Sequence, residues 1–165
     1  MDSRRNKTEG FLAKESVGGE EFTDKVLGIN RVAKKIKGGD KVSFAALVVV
    51  GNKKGKVGLG YGKAGDLRSA IAKATSQAKK KVFTVPIKDA TLPRRIAVQE
   101  GAAHLLLMPA PYGAGLIAGG VVRSILELAG FADASVKILG TDNPMANAQV
   151  AISALKKLSQ NYASA

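Results

Sequence analysis

The sequence contains no cysteine and only one histidine, His104, among its 165 residues. The absence of thiols excludes disulfides, thiolate zinc sites, iron–sulfur clusters and cysteine nucleophiles, and it fits a reducing cytosol. His104 stands beside three leucines and is expected to be packed. The acidic residues are scattered singly, and no carboxylate pair, metal-ligand spacing or Ser/His/Asp set can be assembled. The sequence therefore predicts a protein that is not an enzyme and needs no metal or cofactor.

Long apolar runs are missing as well. The longest clean run, residues 44–50, is far too short to cross a bilayer as a helix. Residues 1–21 mix four basic with five acidic residues and lack the apolar core of a signal peptide. They show no periodicity and are predicted to form a flexible extension. We expect a soluble intracellular protein with no membrane partner.

Positive charge is abundant and unevenly distributed. Lys and Arg number 26 against 13 Asp and Glu, which gives a net charge of +13. Residues 1–88 carry 20 basic and 8 acidic residues, whereas residues 89–165 carry 6 and 5. The stretch 25–81 holds 15 basic residues opposed only by Asp40 and Asp66. Such an excess predicts a polyanionic partner for the first half of the chain.

The first half, residues 22–88, is predicted to be a small α+β unit. Its predicted elements are strands over residues 25–33 and 42–50, a basic turn over 34–41, a tight turn over 52–55 and a returning strand over 56–62. The strand over 42–50 is apolar at nearly every position after Phe44, which favours burial on both faces. Alternating glycines in residues 58–62 leave one face bare for a close backbone approach.

A helix with a basic outer face is predicted after Gly65. Its apolar stripe consists of Leu67, Ala70, Ile71, Ala74 and Ala78.

Two prolines, Pro86 and Pro93, mark a predicted domain boundary, and residues 89–165 are predicted to form a second, nearly neutral α+β domain. Its predicted elements are strands over 94–98, 103–108 and 135–139, a buried helix over 117–129, and a final helix with Asn143 as N-cap and Pro144 at its first position.

Residues 60–65 match the G-x-G-x-x-G spacing of a dinucleotide-binding loop. The match fails as a nucleotide site, because residues 82–86 lack the ribose-binding acid that should follow and no βαβ repeat surrounds the loop. A Walker A loop fails too, since Val57 replaces its first glycine and Ala64 its Ser/Thr. Close contact with RNA or another protein chain is the favoured interpretation.

Basic clusters are often only solvated surface, but here three of them are predicted to converge on one side of the sheet and its helix. Phosphate contact follows from that arrangement. Shape recognition of folded or double-stranded RNA is favoured over DNA, because no helix-turn-helix, zinc finger or basic-zipper pattern is present. A stacking platform for single strands is poorly supported by the sequence, because Tyr61 is the only aromatic residue near the basic surface. The predicted RNA-binding residues are Lys25, Asn30, Arg31, Lys34, Lys35, Lys37, Gly38, Gly39, Lys41, Lys53, Lys54, Lys56, Tyr61, Lys63 and Arg68.

The sequence resembles the bacterial small-subunit ribosomal protein S-five family from Asp24 to Leu155. The matching residues include Gly28-Ile29-Asn30-Arg31-Val32-Ala33-Lys34, Lys37-Gly38-Gly39, Leu47-Val48-Val49-Val50-Gly51, Val57-Gly58-Leu59-Gly60-Tyr61-Gly62-Lys63, Ile117-Ala118-Gly119-Gly120, Leu126-Glu127-Leu128-Ala129-Gly130 and Asn143-Pro144. So many landmarks in order make chance similarity implausible.

The resemblance implies a double-stranded-RNA-binding-like first domain, with a three-stranded antiparallel sheet and one helix, and a C-terminal α+β domain with a left-handed βαβ crossover. It also implies binding to small-subunit ribosomal RNA, contacts with ribosomal proteins S-four and S-eight, and support of messenger RNA where it enters the ribosome and of translational accuracy. Self-association is not expected. The implied protein interface comprises Pro109, Ala110, Tyr112, Gly113, Gly115 and Arg123.

The resemblance further identifies a loop that reaches toward the spectinomycin site, namely Val32, Ala33, Lys34, Lys35, Ile36, Lys37, Gly38 and Gly39. Asp40 stands where many family members carry Arg, and Pro111, Tyr112 and Ala114 depart from the family's usual run after Pro109-Ala110. Two rival functions remain at this point, a general DNA-coating protein and a nucleotide-using enzyme.

Overall fold

The computed structural model describes residues 14–17 and 20–163. The first sheet is antiparallel, with strands in chain order, and carries one helix. Its elements are β1 (Lys14–Val17), β2 (Glu20–Ile36), β3 (Gly39–Gly51), β4 (Lys56–Ala64), α1 (Leu67–Lys80) and β5 (Phe83–Thr84). The predicted three strands are thus flanked by two short ones. Of the predicted flexible extension, residues 14–17 and 20–21 lie in strands, and the rest lies outside the described residues.

The second sheet is mixed and has the strand order β6-β7-β9-β8. Its elements are β6 (Ile96–Glu100), β7 (Ala103–Pro109), β8 (Leu116–Ile117), α2 (Gly120–Ala129), β9 (Ala134–Ile138) and α3 (Pro144–Ala163). Because β8 and β9 pair in parallel, β8, α2 and β9 form a βαβ unit. The predicted two-domain α+β fold is confirmed, and the hand of this crossover stays a prediction.

Strand β3 is buried on both faces, as its apolar sequence predicts. Side chains alternate along a strand, so Ala46, Val48 and Val50 pack against α1, whereas Leu47 and Val49 belong to a core shared with the second half of the chain. The predicted stripe of α1 faces the sheet through the fully buried Ala70, Ala74 and Ala78, while Leu67 at the helix start is exposed. The first sheet therefore lies between α1 and the second half.

The glycines of β4 allow α1 to approach the sheet closely. A Cβ atom at Gly60 would overlap the carbonyl oxygen of Ala74, and Gly58 and Gly62 stand in the same relation to neighbouring turns of the helix. No larger residue fits unless backbone moves. The predicted close approach of another backbone is therefore confirmed. That backbone is the chain's own helix, so the interpretation that these glycines contact RNA or another protein chain is wrong.

The tight turn between β3 and β4 joins the two halves. The Lys53 amide donates to the Leu128 carbonyl at 2.9 Å, and the Gly55 amide donates to the Ala129 carbonyl at 2.8 Å. The last carbonyls of a helix have no partner within it, so this turn completes the C-terminal end of α2. Gly130 follows with φ 103°, and a Cβ atom there would overlap the Lys53 carbonyl oxygen.

Three sequence predictions need correction. The basic turn over residues 34–41 is a two-residue hairpin turn, Lys37-Gly38, because the strands continue to Ile36 and from Gly39. The helix expected over 117–129 begins at Gly120, because Leu116 and Ile117 pair with β9 instead. His104 is half-buried on β7 and is not a core residue.

The remaining strands of the second half lie within two residues of their predicted bounds. The final helix begins as predicted, since the Met145 amide donates to the Asn143 side-chain oxygen at 3.0 Å.

Candidate nucleic-acid interface

A two-stranded ribbon extends from the first sheet. Strand β4 ends where Ala64 pairs with Phe44, but β2 and β3 continue together to the turn at Lys37-Gly38. We call residues 31–43 the basic arm. Nearly every side chain from Arg31 to Lys41 is exposed, including Ile36 at 52%. A two-stranded hairpin is marginally stable by itself in water, so the arm depends for its stability on the sheet that it extends.

Charge on the basic arm is arranged by face. Lys34 and Lys41 are directly paired across the two strands and therefore share one face. On the opposite face Lys35 pairs with Asp40. Like charges directly opposite each other destabilise a strand pair, whereas opposite charges support it. An anion lying over Lys34 and Lys41 would relieve their repulsion, so this face is the better candidate for phosphate.

The Lys34–Lys41 face continues onto the body of the sheet. Asn30, Ala45 and Lys63 form one cross-strand row, and Leu47 and Tyr61 form the next toward the core. Residues spaced by two along a strand share a face. Lys63 is exposed and the Tyr61 side chain is 39% exposed. The structure thus brings five predicted RNA-binding residues onto one continuous surface: Asn30, Lys34, Lys41, Tyr61 and Lys63.

Four other predicted RNA-binding residues lie elsewhere. Lys53, Lys54 and Lys56 are at the turn between β3 and β4, and successive turns of an antiparallel sheet lie at opposite ends of the shared strand. Strand β3 has 13 residues, which separates this turn from the arm tip by roughly 40 Å. Lys25 lies at the same far end and forms a 3.3 Å ion pair with Glu127. The predicted convergence of all three basic clusters on one side is therefore wrong.

The N-terminal end of α1 was expected to attract phosphate, with Lys63 and Arg68 beside it. Here the Asp66 carboxylate caps the helix and accepts a hydrogen bond from the Ser69 amide at 2.8 Å. Hydrogen bonding from Ser69, through its backbone amide above all, holds the pKa of Asp66 below its usual value. The chain's own carboxylate thus already occupies part of this anion-binding position. The exposed Arg68 and Lys73 still give α1 a basic outer face.

Comparison with known proteins identifies the family. The family model for “Ribosomal protein S5, N-terminal domain” matches residues 22–86, and that for “Ribosomal protein S5, C-terminal domain” matches residues 98–163. The chain belongs to the ribosomal protein S5 family. “Small ribosomal subunit protein uS5c” of Rhodomonas salina is 45% identical over 157 residues, covering 94% of this chain and 91% of the relative.

Two further relatives are both named “Small ribosomal subunit protein uS5”. The one from Thermotoga neapolitana is 46% identical over 84% of this chain and 78% of its own length. The one from Lawsonia intracellularis is 50% identical over 74% of this chain and 76% of its own length. The S5 family consists of structural ribosomal proteins, so the chain is not an enzyme and the nucleotide-using alternative is excluded.

The predicted protein interface of this S5-family chain lies on the second half. Tyr112 is 96% exposed on the loop between β7 and β8, and Arg123 is exposed on α2. The Gly115 amide donates to the Asp133 carboxylate at 2.7 Å, and the Ala110 amide donates to the Thr91 hydroxyl at 3.2 Å. Both ends of the loop are therefore tethered while its tip reaches solvent.

Sequence reasoning missed the open face of the second sheet. Helices α2 and α3 pack against the face that carries Leu105, Leu107 and Val136. On the opposite face, Ile117 and Leu139 are more than half exposed. The sequence of β7 carries no signal for this difference, because Leu105, Leu106 and Leu107 are identical residues although their burial alternates.

In the described part of the chain, no group of acidic residues and His104 is placed to hold a metal ion, and no helix is long and apolar enough to cross a membrane.

Proposed function

We propose that this S5-family protein is a structural component of the small ribosomal subunit that binds small-subunit ribosomal RNA through the basic arm and the adjoining face of the first sheet. The observation that carries this proposal is the opposed pair Lys34 and Lys41 on an exposed ribbon. The names of the relatives, which are small-subunit proteins, support it. The protein would accordingly be found on ribosomes.

The second half supplies surfaces for protein neighbours in this proposal. The tethered loop with Tyr112 at its tip and the open sheet face with Ile117 and Leu139 offer exposed apolar groups in a nearly neutral half of the chain. Aromatic and aliphatic groups of this kind are typical of interface centres. We assign these surfaces to contacts with ribosomal proteins S-four and S-eight. The assembled subunit, with this protein in place, would support messenger RNA where it enters the ribosome and would support decoding accuracy.

The tip of the basic arm, residues 32–39, corresponds to the family's loop near the spectinomycin site. Because its side chains are exposed on a narrow ribbon, substitutions there would change contacts with RNA without disturbing the core. Spectinomycin resistance is therefore expected from changes in this segment and not from changes at the turn between β3 and β4.

Binding to a folded small-subunit ribosomal RNA fragment tests the proposal. With six to ten phosphate contacts, affinity should fall by about 10³- to 10⁵-fold between roughly 50 and 200 mM salt. Duplex DNA of equal length serves as competitor, and a DNA-coating protein would bind both equally well. Co-sedimentation with the small ribosomal subunit is expected. A flat salt dependence, or no preference for the ribosomal RNA, contradicts the proposal.

A further inference from the structure

A cleft of about 340 Å³ lies between β4 and α3, where the two halves of the chain meet. Its floor is apolar: Leu47 and Leu59 come from the first sheet, and Met145 and Ile152 come from α3. This volume lies within the range of sites that hold small organic groups. The cleft thus offers room and an apolar surface for a flat ring.

The rim of the cleft carries one aromatic ring and two ammonium groups. Tyr61, Lys81 and Lys156 line the cleft, and all three are exposed. The Lys156 ammonium lies 5.3 Å from the centroid of the Phe83 ring, an arrangement that holds it at the rim. Glu100 is the single carboxylate among the described residues that line the cleft. The rim therefore has a net positive charge.

The cleft mouth joins the surface proposed to bind RNA. Tyr61 and Lys63 lie two residues apart on the same face of β4, and that face continues to the paired Lys34 and Lys41 on the basic arm. The row containing Lys63 is four residues from Lys41 along β3, which is roughly 14 Å. Cationic side chains thus lead from the arm to the cleft.

We infer that the cleft receives one unpaired RNA base, stacked against Tyr61, with the neighbouring phosphates held by Lys63 on one side and by Lys81 and Lys156 on the other. Unpaired bases are recognised in this way, by stacking on an aromatic ring beside positive charge. The Glu100 carboxylate can accept a hydrogen bond from an exocyclic amine of the base. This inference rests on the proposed function and names the RNA feature that the surface selects.

An RNA base fits this combination of groups better than a protein segment does. A single nucleotide supplies both the aromatic face of its base and the negative charge of its phosphates. The base matches the apolar floor of the cleft, and the phosphates match the lysines at its rim. A protein segment would need an aromatic side chain flanked by acidic residues to do the same. A protein occupant is accordingly treated as an outcome that overturns the inference.

A tryptophan reporter makes the stacking measurable. The sequence contains no tryptophan, so Tyr61→Trp in the full chain introduces a single indole at the cleft. Its emission is expected to be quenched by an unpaired oligoadenylate RNA and not by a blunt RNA duplex of the same length. Tyr112→Trp, on the exposed loop of the second half, is the matched control and should show no quenching with either RNA.

Affinity measurements complete the test. Tyr61→Ala is expected to weaken binding of the oligoadenylate by about 5- to 150-fold and to weaken binding of the duplex much less, because a paired base cannot leave its stack to enter the cleft. Tyr61→Phe keeps the ring and should retain near-original affinity, which separates stacking from any effect on folding. Tyr112→Ala should change neither affinity.

The two levels of the proposal fail differently. If neither RNA binds at low salt, the proposed function itself fails. If the duplex binds but the oligoadenylate leaves the indole emission of the Tyr61→Trp variant unchanged, or Tyr61→Ala binds it as tightly as the original chain, only the base-binding cleft is overturned. Quenching of that indole by ribosomal protein S-four or S-eight in place of RNA would assign the cleft to a protein and overturn the inference as well.

Discussion

Lys34 and Lys41 stand directly opposite each other across the basic arm, with no acidic residue in their cross-strand row. Two ammonium groups in this position repel each other in the free protein. A phosphate lying between them would offset this repulsion, so the proposed RNA complex would stabilise the arm that this pair weakens in the free protein. This coupling between arm stability and anion binding underlies the first prediction.

Neutralising the arm should weaken RNA binding more than neutralising an equal number of charges in the second half. We expect Lys34→Gln, Lys35→Gln and Lys37→Gln together to lower affinity for ribosomal RNA and to reduce the slope of log affinity against log salt by about 0.7–0.9 per lost phosphate contact. The matched control is Arg94→Gln, Arg95→Gln and Arg123→Gln, three exposed residues. Salt titrations of both triple variants give the comparison, and equal losses would contradict the assignment.

Replacing Asp40 should strengthen binding. Asp40 is the acidic residue of the arm and is exposed opposite Lys35. Asp40→Arg removes one negative charge and adds a positive one, so affinity for the ribosomal RNA fragment should rise and its salt dependence should become steeper. Asp142→Arg, at an exposed position before α3, makes the same charge change as a control. An identical gain from both variants would indicate a general effect of net charge.

Gly60 should tolerate no side chain. A Cβ atom there would overlap the Ala74 carbonyl, which is backbone within a regular helix and cannot move cheaply. We expect Gly60→Ala to reduce the free energy of unfolding by about 1–3 kcal/mol. Gly65→Ala has open space around it and should have little effect. Chemical denaturation of both variants measures the difference, and similar stabilities would show that α1 can shift away from the sheet.

The stability of the junction between the two halves should depend more on its backbone contacts than on its ion pair. Gly130 and Gly113 both have positive φ, at 103° and 84°, and alanine at either should cost about 1–2 kcal/mol. Only at Gly130 would the added Cβ also overlap the Lys53 carbonyl, so Gly130→Ala should be the more destabilising of the two.

The ion pair at the same junction serves as the comparison. The side chains of Lys25 and Glu127 are 35% and 51% exposed, and exposed pairs contribute about 1 kcal/mol or less. Glu127→Gln should therefore be nearly neutral in thermal unfolding. If Glu127→Gln lowered the stability more than Gly130→Ala does, the ion pair would be the more important contact at the junction and the prediction would be wrong.

The secondary structure was largely predictable because local patterns decide it. The continuous apolar run of β3 predicts burial on both faces, the alternating glycines of β4 predict a close neighbour, and Asn143-Pro144 predicts the start of α3. In contrast, Ile117 is predicted as helix because nothing in the local sequence indicates that β9 pairs with it. The tight turn at Lys37-Gly38 was predicted too long, since its lysines continue the strands instead of forming the loop.

The candidate site was only partly predictable, because the sequence shows which residues are charged but not which face or end of the sheet each charged side chain occupies. Lys34, Lys41 and Lys63 share a face, and the register of β2, β3 and β4 sets that relation. Lys53 and Lys54 are equally basic but lie at the other end of β3, next to α2. Counting charges could not separate these groups, and the cleft below Tyr61 depends on α3, which lies more than 80 residues away in sequence.

The position of β3 between the two halves determines how the protein is expected to unfold. Its Leu47 and Val49 lie in a core completed by Leu105, Ile125 and Leu155 of the second half. A fragment ending near residue 86 would expose that apolar face of the sheet to solvent, and the fragment would be prone to self-association. Although the fold has two domains, we therefore expect them to unfold together in a single transition and to resist proteolysis only while both are present.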